Sequence, residues 1–289
     1  MSELYVGVDV TAVPARVTAY EIDDTGDVWS MPRRIGSLVE VKCDPGEVSA
    51  GTAYGITVAH LAEEALRFED MVGQPARGIG VAVEGAVGDN GRIITAPALP
   101  HMVGRPLAQG LATFVSQTRP DDAPPLGVHV GEAASALALA EICALGERRW
   151  GHSGDFMVAV FCGMAALSGA CVQVGEAGIG LRTARVTLSD PDTPCQDLAQ
   201  QLVQFTHTQF GQSLQAGAAG RLILDGPRLE QCPELIDSCY GVIKDNDSAT
   251  WLRGREVRLP DAGPYACSLG AVALVRFLER PQTALASIN

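Results

Sequence analysis

The sequence predicts an α/β fold of two similar halves. Three observations point there. Strand-like alternation and helix-like periodicity follow one another along the chain. The order of elements restarts near residue 156, where a new strand hairpin repeats the opening one. Between the halves lies Pro125–Leu145, read as a strand at Leu126–Val130, an abrupt Gly131-Glu132 turn and an alanine-rich helix to Leu145. A helix with so many small residues packs closely between two layers, with Leu137, Leu139, Ile142 and Leu145 along one side.

The first half opens with a hairpin. Val6, Val8 and Val10 alternate in a strand at Leu4–Asp9, a turn falls around Ala12–Pro14, and a second strand covers Arg16–Ile22. A third strand includes Gly36–Lys42, and a helix runs from about Glu47, after the Asp44-Pro45-Gly46 break, to Met71. Next come a strand at Gly78–Ala86, the Asp89-Asn90-Gly91 turn, a short strand at Arg92–Thr95 and a helix at Pro106–Ser116. After Leu145 the polar Gly146–Gly154 patch resembles a linker. The second half then reads as a strand at Phe156–Cys162, a hairpin at Gly163–Val174, a strand at Thr183–Leu188 and a helix at Gln196–Gln215. A strand at Arg221–Leu224, a helix at Pro233–Lys244, a strand at Arg255–Leu259 and a helix at Tyr265–Arg280 complete it.

Composition narrows the partners. At 289 residues the chain can bury a substantial core, and 47% apolar against 19% charged residues describes a folded protein. With 34 acidic and 21 basic residues the net charge is −13, and no basic run exceeds Arg33-Arg34 or Arg148-Arg149. Nucleic acid and anionic membrane are therefore poor partners. No leader-like start and no run of 18 apolar residues is present. Eight scattered cysteines without a Cys-Xaa-Xaa-Cys pair suit a reduced, cytoplasmic setting, with Cys143, Cys162 and Cys267 as small core residues. Metal binding is not expected: Cys232 and Cys239 lack paired ligand spacing, and His152 and His207 stand apart.

Glu132 is the candidate that position singles out. It falls between the C-terminal end of a strand and the start of a helix, where open α/β sheets bind ligands and where a carboxylate is favoured by the helix dipole. It is either a site residue or simply a charge partner of that dipole.

The element order, three strands followed by alternating helices and strands, matches half of a two-domain actin-like ATPase (ribonuclease H-like) fold with an interdomain cleft. On that plan residues 1–118 form a smaller α/β domain and 119–265 a larger one, with the last helix, 266–289, packing back on the first. Four stretches, Leu4–Ala19, Gly78–Leu107, Pro125–Glu141 and Ala266–Leu274, resemble in sequence and order the landmarks of the ROK group of sugar kinases and sugar-responsive repressors. The resemblance implies a sugar-class ligand in the cleft, homodimers and, in kinases, ATP with Mg²⁺.

Several residues depart from the family pattern. The first phosphate hairpin of the family is glycine-rich, so that amides can approach phosphate. Here Asp9 is kept, but Val13 is stiff and Pro14 has no N–H. The second keeps only Gly163 and Gly169 of its glycines and places Met164 and Leu167 where phosphate oxygens would lie. The catalytic Asp of the family aligns with Glu132, whose extra methylene shifts the oxygens by roughly 1–1.5 Å, and about 1 Å of misplacement can cost on the order of a hundredfold in rate. The sugar-binding Asn is Ala98, a family His aligns with Leu181, Glu176 is displaced from its expected position, and the adenosine glycines reduce to Asp225-Gly226.

Two further side chains are candidates. His101 reads as a ligand contact or a solvated loop residue. Arg182 reads as a cleft residue and Arg185 as its solvent-facing neighbour, or both as surface charges. The favoured expectation is a non-kinase relative that needs no cofactor and either binds a small molecule in the cleft or a protein partner, or is an enzyme with repurposed cleft chemistry centred on Glu132. The alternative is an ATP- and Mg²⁺-dependent kinase with Glu132 as base, Asp9 near the metal, and Gly163 and Gly226 near the nucleotide. A structural role with a filled cleft is a third reading.

Overall fold

A computed structural model describes residues 2–11, 13–23, 31–43, 46–88, 90–145, 155–175, 178–188, 190, 192–211, 220–245, 252 and 256–279. The first half holds β1 (Ser2–Val10), β2 (Ala15–Asp23), β3 (Arg33–Val41), α1 (Ala50–Val72), β4 (Ala76–Val83), α2 (Leu107–Thr118) and β5 (Gly127–Glu132). After α3 (Ala133–Leu145) the second half holds β6 (Phe156–Cys162), β7 (Ala166–Gly175), β8 (Gly178–Thr187), α4 (Cys195–Phe210) and β9 (Gly220–Asp225). It ends with α5 (Pro227–Gln231), α6 (Leu235–Asp245), β10 (Glu256–Arg258) and α7 (Ala266–Glu279).

Each half makes one five-stranded sheet, in the orders β3-β2-β1-β4-β5 and β8-β7-β6-β9-β10. The two orders are the same once the elements are counted within each half. In both, the first three strands are antiparallel and the last two join parallel. Parallel pairing places the C-terminal ends of β1, β4 and β5 on one edge, and those of β6, β9 and β10 on another, which is where α/β sheets carry their ligand sites.

Three apolar cores result. One lies between the first sheet and α1 and α2, with Val6, Val8, Ile79 and Val81 against Leu61 and Ala65. The second lies between the other sheet and α4 and α6, with Val158, Val160, Leu222 and Leu224 against Leu198 and Leu202. The third joins the halves through α3 and α7. Both helices are buried on almost every side, so their sequences are apolar all round rather than striped. They cross over: α3 packs on β6 and β7 of the second sheet, and α7 on β1, β4 and β5 of the first. Buried Glu141 fastens α3 to the second sheet's edge, accepting hydrogen bonds from Arg258 Nη2 at 2.9 Å and from Asp261 N.

Several expected boundaries differ. The Gly131-Glu132 turn is absent, because β5 pairs with β4 through Val83↔Glu132 and the helix begins only at Ala133. Arg92–Thr95 is not a strand but carries isolated bridges, Val87↔Ile93 and Arg92↔Pro106. The hairpin at Gly163–Val174 is a connection of three residues between β6 and the ten-residue β7, and α5 was not foreseen. Cys195 and Cys232 form a disulfide between the start of α4 and the end of α5, a pairing that the expectation of a reduced setting did not include. Cys43, Cys162, Cys171, Cys239 and Cys267 are buried thiols outside that disulfide, and Cys143 is buried in α3. Among the described residues no helix is long and apolar enough to cross a membrane.

Candidate functional site

Acidic side chains close the strands that face the cleft. Asp9 is the penultimate residue of β1, Glu132 the last of β5 and Asp225 the last of β9, and Glu84 directly follows β4. Val83 lies opposite Glu132, so Glu84 and Glu132 leave adjacent strand ends. Burial pushes the carboxyl pKa of all four upward, that of Asp225 to about 6. Carboxyl groups held out of water at one edge are costly to keep ionised, which is the pattern of a functional site.

Two of these acids occupy equivalent places. Glu84-Gly85 follows β4 and Asp225-Gly226 ends β9, and both glycines have positive φ, 148° and 116°. Each acid interacts with groups of the other half. Glu84 Oε1 accepts the amide N–H of Met164, at 3.2 Å, in the β6–β7 hairpin. A Cβ built on Gly163 would lie within 3.0 Å of Glu84 Cδ, so the carboxylate sits directly against that hairpin. Asp225, whose own carboxylate accepts from Gly226 N at 2.8 Å, feels the negative charge of Asp9 and the positive charge of Arg16 from the first half.

Both hairpins are thereby occupied from within. In the first, Asp9 Oδ1 accepts from Thr11 N at 3.0 Å and from Thr11 Oγ1 at 2.7 Å, while Val13-Pro14 is cis and Pro14 has no donor. In the second, Gly163 N bonds Ala166 O at 3.0 Å and Met164 N bonds Glu84. Leu167 is not part of this surface. It points into the core beneath α4, so the expectation that it fills a phosphate position is corrected.

Arg185 reaches the acids from the opposite half. Its Nη1 donates to Thr95 Oγ1 at 2.8 Å, and its charge lowers the raised pKa of both Glu84 and Glu132. Glu132 also accepts from the Val87 backbone N–H. The expected arginine roles are reversed: Arg182 Nη2 bonds Gln209 O at the end of α4. The cause is the pleat. Arg182 lies opposite Cys171, whose side chain belongs to the core under α4, whereas Arg185 lies opposite Ser168 on the other face.

The remaining candidates separate. Gly226 is required by its backbone, since a Cβ there would sit 2.6 Å from Cys162 O at a φ that side chains avoid. Ala98 and His101 line a cavity on the first half, and Glu132 is not one of its walls. Glu176 lies outside the described residues. Glu84, Asp225, Arg16, Thr95 and Arg185 were missed as site residues. The available signal was an acid followed by glycine ending two equivalent apolar runs, Val81–Gly85 and Leu222–Gly226. Among the described residues no group of three or more His, Cys, Asp or Glu side chains could hold a metal ion.

No protein-family model matches the sequence, and no curated protein matches it. Solved structures do. The chain is similar to a ROK hexokinase from Thermus thermophilus, at 18% identity and TM-score 0.58 over 98% of this chain and 100% of that one. It is similar to a ROK family protein from Streptococcus pneumoniae TIGR4 in complex with sucrose, at 15% identity and TM-score 0.55 over 96% and 99% of the two chains. A ROK family glucokinase from Streptomyces griseus in complex with glucose and AMPPNP gives 16%, 0.55, 94% and 99%. The class defined is an α/β protein with the two-domain actin-like ATPase fold. Within that class, the chain has the architecture found in ROK-type sugar kinases.

Proposed function

We propose that this chain is a ROK-type sugar-kinase homologue that has given up ATP-dependent phosphotransfer and binds a hydroxyl-rich small molecule beside Glu132. The observation that carries the reading is the Glu84 carboxylate on the Met164 amide. In a phosphate-binding hairpin that N–H is offered to the nucleotide. Here a resident anion holds it, and Asp9 takes the corresponding Thr11 amide in the other hairpin. A phosphate placed about 4 Å from one such carboxylate meets roughly 4 kcal/mol of repulsion at an effective dielectric of 20. Two such groups, with Asp225 nearby, make an ATP-shaped anion a poor guest.

The same groups suit neutral hydroxyls. A carboxylate accepts two or more O–H donors, and Arg185 supplies a fixed donor fork beside Glu84 and Glu132. Calorimetric titration with a panel of neutral sugars, amino sugars and cyclitols is expected to give saturable binding of at least one class. Glu132→Gln, which keeps shape but removes the charge, is expected to weaken it about tenfold or more. Absence of binding across the panel, or binding indifferent to Glu132→Gln, contradicts the proposal.

A second reading has one observation in its favour. Glu132 ends β5 with a pKa raised by burial, as a general base near neutrality requires. In that reading a kinase retains phosphotransfer with Glu132 as base, and turnover with Mg·ATP distinguishes it.

A further inference from the structure

A cavity of about 600 Å³ opens on the first half of the chain, and it is built unlike the acidic cleft. Its walls come from three segments. Val13 belongs to the β1–β2 hairpin, Val48 and Ala53 to the entry and first turn of α1, and Leu99 and Pro100 to the loop that turns through a short 3₁₀ segment, Pro100–Met102. Ala98 and Cys43 complete much of the rest. Among the described residues the lining contains no Asp, Glu, Lys or Arg, although the chain as a whole carries a net charge of −13.

Two features argue for an occupant. Val13 and Val48 are large apolar residues left 48% and 45% exposed, and both border this one cavity rather than being scattered over the surface. The polar edge is also fixed. His101 Nε2 lies 2.9 Å from Oγ1 of Thr57, a fully buried residue of α1 whose hydroxyl also donates to Cys43 O at 3.4 Å. The imidazole is therefore held against the helix, and the loop carrying Ala98 to Pro100 is held with it.

We infer that this cavity is a binding site for a small, uncharged, predominantly apolar molecule, distinct from the ligand proposed for the Glu132 site. The volume falls within the range of small-molecule sites and suits a frame of roughly 10–20 heavy atoms. The occupant is uncharged because a buried ion needs an oppositely charged partner, and the described walls hold no Asp, Glu, Lys or Arg to supply one. It is not a sugar, because several hydroxyls would lose water against valine, leucine and alanine without gaining hydrogen bonds.

The full-length protein is titrated with 1-aminoanthracene, an uncharged fluorescent aromatic, with and without excess glucose. The expected result is one saturable site that glucose does not displace. Ala98→Phe, which fills the cavity from a half-buried position, is expected to lower the affinity at least about tenfold, and Ala53→Phe fills it from the opposite wall. Circular dichroism establishes that each variant is folded; if Ala53→Phe is not, Ala98→Phe decides. Absence of saturable binding, displacement by glucose, or unchanged affinity in the folded Ala98→Phe variant overturns the inference.

Discussion

Gly270→Ala is expected to destabilise the protein by roughly 3 kcal/mol or more, against the sign that helix propensity dictates. Gly270 lies inside α7, where alanine is ordinarily better than glycine by about 1 kcal/mol. At this position, however, a Cβ would fall 2.8 Å from Ala136 Cα and closer still to the Ala136 carbonyl of α3. The obstacle is backbone, which no rotamer change relieves. On either side of Gly270 in the same helix, Ser268 and Ala271 sit over Gly7 of β1 and Gly80 of β4, which lie opposite one another in the sheet and leave no room for a side chain. The helix therefore beds on a glycine floor and meets α3 across Gly270, so the joint between the halves rests on absent side chains. Gly241→Ala in α6, where a Cβ meets nothing within 4 Å, is the control and is expected to stabilise by about 0.5–1 kcal/mol. Denaturant unfolding of both variants checks the pair. A Gly270→Ala variant as stable as the wild type or more so would remove the packing argument.

Asp225→Asn is expected to stabilise the protein at pH 7 by about 1–2 kcal/mol, seen as a rise in Tm of roughly 3–6 °C. Burial raises the Asp225 carboxyl from its ordinary 3.8 to about 6, and the charge of Asp9 adds to the rise. The folded state thus holds this proton more tightly than the unfolded chain does. Its contribution is fully present below about pH 3.8 and is lost as pH rises through 6. A two-unit shift corresponds to nearly 3 kcal/mol, reduced here because water still reaches part of the group. Asn keeps an oxygen for the Gly226 N–H and carries no charge to desolvate. Wild type should gain stability relative to the variant between pH 7 and pH 4, and the variant's profile should be flatter. A Tm lowered equally at both pH values would mean that the carboxylate is structural. The burial-raised acids Asp9, Glu84 and Glu132 share this sign, so the site is held at a cost to stability.

The sequence makes the repeat and the long elements plain, because alternation in β1 and the all-apolar α3 are local signals. It is less informative where a residue's neighbour comes from the other half. Glu84 reads as an acid after a strand; only the meeting of β4 with the β6–β7 hairpin shows it on the Met164 amide. Arg185 and Arg182 are three apart and take opposite faces, but which face α4 covers is a tertiary fact. Leu167 falls at the cleft when Gly163–Gly169 is matched to the family's glycine run, but β7 begins at Ala166 and turns its side chain into the core. Pro14, by contrast, was legible at once, since the loss of a donor is covalent.

Titration of the purified protein with Mg·ATP by calorimetry bears most directly on the proposal that Glu84 and Asp9 fill the places of phosphate. No heat of binding is expected at millimolar nucleotide, in the wild type or in Glu132→Gln. Saturable binding of Mg·ATP by the wild type would contradict it, and Glu84 would then have to leave the Met164 amide when nucleotide arrives.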